Sequence, residues 1–171
     1  ETRMRQTACF RGGVYTVDLP VRSKPDRARL ETDLATWEAR QQEADARQDT
    51  IAARDAGAQA ERARRWLRRL ADMPDTPLYP FRFSVYRLGD AYWITTGGEP
   101  YSLIQKELRQ RFPGQTILFS PLAGDGMHLA YLLPANRYGL GLYQEEPSIL
   151  AIGSLELLTN AVIRRMNELA D

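Results

Sequence analysis

The fold is decided by the stretch Phe81-Arg82-Phe83-Ser84-Val85-Tyr86-Arg87-Leu88-Gly89-Asp90-Ala91-Tyr92-Trp93-Ile94-Thr95-Thr96. Apolar and polar residues alternate through its first part, which is the pattern of a half-buried strand. Gly89-Asp90 is a two-residue hairpin signal, and the residues after it are again mostly aromatic and β-branched. The stretch therefore predicts two antiparallel strands joined by a tight turn.

Strand and helix patterns extend on both sides of this hairpin. Further strands are predicted at 14–17, 116–119 and 129–133. Helical spacing is found in two sets of apolar residues, Ile104, Leu108 and Phe112, and Leu155, Leu158, Val162, Met166 and Leu169. The predicted fold class is α/β, with a mixed β-sheet flanked by helices.

Residues 26–73 have a different composition, with ten Arg, ten Asp or Glu and many Ala. Ser23, Pro25 and Asp26 have the order of a helix start, with a capping hydroxyl and an acidic first turn. Gly57 is the one weak helix former in the segment. The pattern predicts a charged helical hairpin, inserted near the N-terminus, that turns back near Gly57. One continuous helix of the same length is the alternative.

The 171 residues are enough for one domain with a core and too few for two ordinary ones. We expect an N-terminal strand segment at 1–22, the charged hairpin at 23–73 and an α/β sheet unit at 78–171. Because the chain starts at Glu1 rather than at a methionine, we expect it to be a fragment of a longer protein.

Composition excludes several classes of function. The formal net charge is +1, so no steering of polyanions and no nucleic-acid partner is expected. The single cysteine, Cys9, excludes a disulfide framework and thiolate zinc clusters, and the single histidine, His128, excludes a two-histidine metal motif. No apolar run approaches the length that spans a bilayer. The basic stretch at 62–69 is interpreted as a solvated helix face rather than a phosphate site.

Two segments carry the candidate chemistry. Glu99 follows Gly97-Gly98 at the end of a predicted strand, where ligands bind in α/β sheets. The alternative for this segment is helix capping, by Glu99 or by Ser102 with Gln105 as a capping box. The second segment contains Tyr131, for which a core aromatic residue is the alternative. Nearby, Asp125 has the setting of a turn residue and His128 that of a structural histidine.

These segments belong to a series of short motifs that occur in a fixed order. The series is Phe83-Ser84-Val85-Tyr86-Arg87-Leu88-Gly89-Asp90, Gly98-Glu99, Tyr131-Leu132 with Pro134 close behind, Tyr138, Tyr143 and a last helix that follows Gly153. In this order the motifs resemble the C-terminal part of the catalytic domain of neutral/alkaline (non-lysosomal) ceramidases, in particular of bacterial members. The charged helices before Phe81 resemble the helical insertion of those members.

The resemblance implies a zinc-dependent amidohydrolase that cleaves the N-acyl amide bond of ceramide or a related lipid. In that family, zinc is held by two histidines from the earlier part of the domain and by a glutamate and a tyrosine that correspond to Glu99 and Tyr131. The metal would activate water for attack on the amide carbonyl, releasing a fatty acid and an amine such as a sphingoid base. A secreted or cell-envelope location is also implied.

The same resemblance defines the expected partners. These are the N-terminal part of the same catalytic domain, which would supply the histidines, and the lipid amide substrate. The isolated chain is therefore expected to bind no zinc and to be inactive. If the sheet is normally covered by the missing part, the isolated chain would expose apolar surface and form a homodimer.

The sequence departs from the family pattern at several positions. Gly97 replaces the usual proline, Pro100-Tyr101-Ser102 replaces a Phe-Thr pair, and the next helix begins with Gln105-Lys106-Glu107 instead of an arginine-rich turn. The asparagine that precedes the family's tyrosine is absent.

A non-catalytic interaction module is the alternative function. In this hypothesis the helical hairpin binds a partner, through an apolar patch around Trp37 and Trp66. Membrane attachment through the arginine-rich helices is disfavoured, because the opposite helix faces lack Leu and Phe.

Overall fold

A computed structural model of the chain describes residues 10–124 and 129–170. The chain divides into two compact units, Ser23–Asp75 and the remainder of the chain on either side of it. The elements in chain order are β1 (Phe10–Pro20), α1 (Arg27–Ala46), α2 (Thr50–Asp72), β2 (Leu78–Leu88), β3 (Ala91–Thr96), β4 (Glu99–Pro100), α3 (Leu103–Arg111), β5 (Thr116–Ser120), β6 (Tyr131–Leu132), a short 3-10 helix (Ala135–Arg137) and α4 (Ser154–Ala170).

The larger unit is built on a four-stranded mixed sheet in the order β1-β2-β3-β5. The pairs β1–β2 and β2–β3 are antiparallel, and β3–β5 is parallel because α3 makes the crossover between them. β4 and β6 form a second, two-stranded parallel sheet. The predicted α/β class with a mixed sheet and flanking helices is confirmed, as is the β2–β3 hairpin turn at Gly89-Asp90.

One face of the four-stranded sheet packs against α4 and forms the core. Phe81, Phe83 and Val85 alternate along β2 and are buried, together with Tyr92 and Ile94 of β3. The hydroxyl of Tyr92 donates to the Met166 carbonyl at 3.2 Å. The core also contains α3 residues and the apolar face of α4, namely Ile104, Leu108, Leu155, Leu158, Val162 and Met166.

The smaller unit, Ser23–Asp75, is the charged helical hairpin, so the continuous-helix alternative is wrong. The turn lies at Arg47-Gln48-Asp49, where Gln48 adopts a φ of 58°, and not near Gly57, which lies inside α2. The chain turns there because the carboxylate of Asp49 caps α2 by accepting from the Ala52 N–H at 3.0 Å.

The first helix of this unit also begins later than its sequence predicted. Asp26 is its N-cap and accepts from the Ala28 N–H at 2.9 Å, so the predicted cap at Ser23 is wrong. Small residues form the contact between the two helices and are buried there: Ala44, Ala53, Ala56, Ala60 and Ala63. Glu38 and Arg64 connect the helices by a 2.8 Å ion pair.

Candidate functional site

The candidate site lies just beyond the C-terminal end of β3. After Thr96 the chain passes through Gly97 and Gly98, and Gly98 has a φ of 61°, a conformation that glycine adopts without strain. The segment after β5 bonds back to this turn, because the N–H of Leu122 donates to the Gly98 carbonyl at 3.1 Å and that of Ala123 to the Thr96 carbonyl at 2.9 Å. The turn places Glu99 at the edge where β3 and β5 both end.

Glu99 and Tyr131 are register partners in the parallel pair of β4 and β6. The Glu99 N–H donates to the Ala130 carbonyl at 2.7 Å, and the Tyr101 N–H to the Leu132 carbonyl at 3.0 Å. Partners in one register have side chains on the same face of a sheet. Two residues that are 32 positions apart in the sequence are therefore neighbours in the structure.

The side chains of Tyr131 and Glu99 affect each other electrostatically. Burial raises the pKa of the Tyr131 phenol, and the charge of the Glu99 carboxylate raises it further. The ring of Tyr131 also contacts that of Tyr143 edge-on, with 6.2 Å between the ring centroids. The site therefore places a carboxylate and a phenol on one face of the two-stranded sheet, beside a second tyrosine.

The backbone of Tyr131 is fixed from two sides. Ala130, just before it, has a φ of 57°, which is strained for a residue with a side chain. The hydroxyl of Ser148, which is fully buried, donates to the Tyr131 carbonyl at 2.6 Å. Ser148 was not singled out from the sequence, because a lone serine has no local pattern that predicts such a bond.

The alternative that this segment only caps α3 receives little support from the hydrogen bonds. Ser102 occupies the N-cap position, but it has a helical conformation and makes no side-chain cap bond, so the predicted capping box with Gln105 is wrong. Glu99 lies in β4, ahead of that cap position.

Among the described residues, no group of three or more His, Cys, Asp and Glu side chains is placed to hold a metal ion. Asp125 and His128, which the sequence placed near the site, lie outside the described residues, as does Cys9.

Tyr138, another tyrosine of the motif series, has a structural environment. Its hydroxyl lies 3.3 Å from the Leu150 carbonyl and 3.2 Å from that of Ala151, both of which accept from it. Burial raises the pKa of Tyr138 to about 12. This tyrosine tethers the segment that leads into α4.

A groove of about 350 Å³ lies on the sheet face that α4 does not cover. Its lining includes Ser84 and Thr95, whose hydroxyls are 2.6 Å apart. The other lining residues are Val14, Arg82, Phe83, Tyr86, Ala123 and Gly124.

The helical hairpin carries the two tryptophans of the alternative hypothesis. The guanidinium of Arg40 lies 4.5 Å from the ring centre of Trp37, and that of Arg69 lies 5.7 Å from the ring centre of Trp66. Both rings are half-buried. The surface expected around them is therefore cationic and aromatic, and not simply apolar.

None of the helices in the described part of the chain has both the length and the apolar character needed to cross a membrane. In comparisons with protein-family models, with curated proteins and with solved structures, no protein matches this chain.

Proposed function

We propose that this chain is the C-terminal part of a zinc-dependent amidohydrolase that acts on the N-acyl amide bond of ceramide or a related lipid. The observation that carries the proposal is the pairing of Glu99 with Tyr131 in register across β4 and β6. The family resemblance paired these residues from the sequence, 32 positions apart, and a shared metal would require them to be neighbours.

The donor chemistry of the pair fits a divalent metal. A carboxylate is an ordinary zinc ligand, and a phenol becomes one when it loses its proton. In this chain burial and the charge of the Glu99 carboxylate raise the pKa of the Tyr131 phenol, so the phenol keeps its proton. A cation bound by both residues would replace the phenol's proton and offset the charge of the carboxylate.

Zinc, when bound, would polarise the amide carbonyl and lower the pKa of a water molecule. The chain's own contribution is positional. The bonds of Glu99 to Ala130 and of Ser148 to Tyr131 hold the backbone of both donors in place. Two donors do not complete a zinc site, so the proposal assigns the remaining ligands to the N-terminal part of the same catalytic domain. The isolated chain is then inactive and retains no zinc.

The metal proposal is tested by supplying the missing ligands from outside. The probe is Zn²⁺ carried by a bidentate nitrogen chelator, which leaves two coordination positions open. It is titrated calorimetrically into a chain with Cys9→Ser and His128→Gln, so that neither residue can bind it. We expect Glu99→Gln and Tyr131→Phe each to weaken binding about 10-fold or more.

Glu107→Gln is the matched control, since Glu107 is a carboxylate on α3, outside the β4–β6 pair. Equal affinity in the parent chain and in all three variants would contradict the metal proposal. The assignment of the remaining ligands is tested separately, with a fluorescent ceramide. Chelator-sensitive hydrolysis by the 171-residue chain alone would show that it needs no further part.

A further inference from the structure

Arg22 follows β1 in sequence and holds a distant turn of the chain. Its Nη1 atom donates to the Glu145 carbonyl at 2.6 Å and to the Ser148 carbonyl at 3.2 Å, across 123 and 126 positions of sequence. A hydrogen bond from a charged donor is stronger than one between neutral groups, and Arg22 is half-buried, where water competes less. The guanidinium therefore fixes both ends of the turn 145–148.

The residues after this turn run alongside the end of β1. Val21 and Leu150 form an antiparallel bridge. The backbone N–H of Arg22 donates to the Ile149 carbonyl at 2.9 Å. Arg22 therefore contributes its backbone as well as its side chain, and the segment 145–150 is bound to the end of β1 at several points.

Ser148 connects this segment to Tyr131. The Ser148 hydroxyl accepts from the Leu150 N–H at 3.2 Å, and it donates its own proton to the Tyr131 carbonyl at 2.6 Å. A hydroxyl has one proton to donate and lone pairs with which to accept, so the two bonds do not compete. Ser148 is fully buried, which strengthens both bonds. Arg22, Ser148 and Tyr131 are thus joined by consecutive hydrogen bonds.

The backbone around Tyr131 depends on such contacts. β4 and β6 have two residues each, and the N–H groups of Glu99 and Tyr101 make the bonds that join them. So short a pair is marginal without further support. Ala130 has a φ of 57°, and a conformation of this kind persists only where the surrounding structure fixes it. The bond from Ser148 to the residue that follows Ala130 supplies part of that support.

We propose that Arg22 is a positioning residue for the Glu99–Tyr131 pair, which acts by holding the turn 145–148 so that Ser148 fixes the backbone of Tyr131. The inference rests on the proposed function where it concerns metal binding, whereas the effect on the β4–β6 pair follows from the hydrogen bonds alone. Arg22 precedes the helical hairpin in sequence and the donor pair follows it, so no local pattern connects them. In this role Arg22 acts through Ser148 and is not itself a metal ligand.

Arg87 provides a matched control, because its guanidinium also bridges two backbone carbonyls. Its Nη1 atom donates to the carbonyls of Leu169 and Ala170 at 2.6 Å each. Arg22→Met and Arg87→Met therefore remove bonds of the same kind and number from the sheet unit. Only Arg22→Met is expected to affect the β4–β6 pair, since the Arg87 bonds secure the end of α4.

Amide hydrogen exchange, followed by NMR on the 171-residue chain, tests the positioning role. Arg22→Met is expected to speed exchange of the Glu99 and Tyr101 amides about 10-fold or more relative to the amide of Val85 in the middle of β2. Arg22→Lys keeps a cation with several donors and is expected to stay within about 3-fold of the parent chain. Ser148→Ala removes the link to Tyr131 and is expected to reproduce the Arg22→Met pattern. It replaces Arg22→Met in the test if that variant does not fold.

Equal acceleration at all three amides would indicate a general loss of stability and overturns the proposal. Unchanged exchange at Glu99 and Tyr101, or the same pattern in Arg87→Met, also overturns it. In the titration with chelated zinc, Arg22→Met is expected to weaken binding about 3-fold or more and Arg87→Met to leave it unchanged. Equal binding by Arg22→Met and a binding-competent parent chain contradicts the role in metal binding. A parent chain that does not bind the probe contradicts the proposed function instead, and amide exchange then decides the positioning role alone.

Discussion

Gly12 in β1 offers the sharpest test of the structure of the sheet. It lies opposite Tyr86 in the register and has a φ of 142°, a conformation that L side chains rarely adopt. A Cβ built there would overlap the Val85 carbonyl oxygen and lie 2.6 Å from the Tyr86 Cα and 2.9 Å from its ring. The Tyr86 ring covers the glycine, so a methyl group at this position has no free space.

Gly12→Ala is therefore expected to destabilise the sheet unit by about 2–4 kcal/mol. Backbone strain accounts for roughly 1–3 kcal/mol. Displacement of Tyr86 from its stack with Phe10 adds about 0.5–1.5 kcal/mol. Because a domain is stable by only about 5–15 kcal/mol, the loss would be obvious in a denaturation curve.

Gly13→Ala is the matched control. A Cβ at Gly13 would have its nearest neighbour 3.9 Å away, at the Tyr15 hydroxyl, and Gly13 is not in the left-handed region. That substitution is expected to be neutral or to stabilise by up to about 1 kcal/mol, since it restricts the unfolded chain. Two adjacent glycines in one strand should thus respond with opposite sign.

The assay is urea denaturation followed by tryptophan fluorescence. Trp37→Phe and Trp66→Phe are introduced first, so that Trp93 reports on the sheet unit alone. A loss of less than about 1 kcal/mol for Gly12→Ala, or an equal loss for Gly13→Ala, would contradict the close approach of Tyr86 to Gly12.

Three further predictions concern single residues. Gln48→Gly removes the strain of a φ of 58° at the hairpin turn and should stabilise that unit by about 0.5–1 kcal/mol in thermal unfolding, and a loss of stability would contradict it. Gly57→Ala should stabilise α2 by a similar amount, about 0.5–1 kcal/mol, because the added methyl meets only the movable end of Gln41 at 3.1 Å. A lower unfolding temperature would show that the Gln41 side chain cannot move aside. The pKa of Tyr138 is raised to about 12 by burial, so its contribution to stability is complete below pH 10 and is lost as the pH rises from 10 to 12. Tyr138→Phe should flatten the fall of the urea midpoint over that interval, and an unchanged slope would contradict the assignment.

The strands and helices of the sheet unit follow from local patterns. Alternation along β2, the Gly89-Asp90 turn and helical spacing in α4 each involve residues that are close in sequence, so they predict the elements directly. The hairpin turn was misplaced because Gly57 is the only intrinsic helix breaker in that segment, whereas the turn depends on the Asp49 cap. Acidic residues are common in this segment, so the one aspartate that caps a helix cannot be distinguished from the others by sequence.

The candidate site is harder to predict from the sequence than the strands and helices are. Glu99 and Tyr131 were chosen because of a resemblance, and no periodicity connects them. Gly98 and Ala130, which precede their two-residue strands, both adopt positive φ values, and such backbone conformations depend on distant packing. Ser148 bonds to Tyr131 across 17 positions of sequence, and this contact too is one that no local pattern predicts.

The helical hairpin has a consequence for the order of folding. β1 and β2 are consecutive strands of one antiparallel pair, yet about 57 residues separate Pro20 from Leu78. In the hairpin, an exposed 2.7 Å ion pair joins Lys24 near its start to Asp75 at its end. In the sheet unit, the Val21 N–H donates to the Pro77 carbonyl at 2.9 Å.

If the helices form first, the strands meet as though a short turn joined them. The closure entropy saved relative to an unstructured loop of that length is about 2 kcal/mol. Because Val21 and Pro77 are already hydrogen-bonded, the helices should be replaceable by a tight turn. A chain in which such a turn joins Val21 to Pro77 should keep the β1–β2 register. The insertion is thus a folded domain that occupies the place of a hairpin loop.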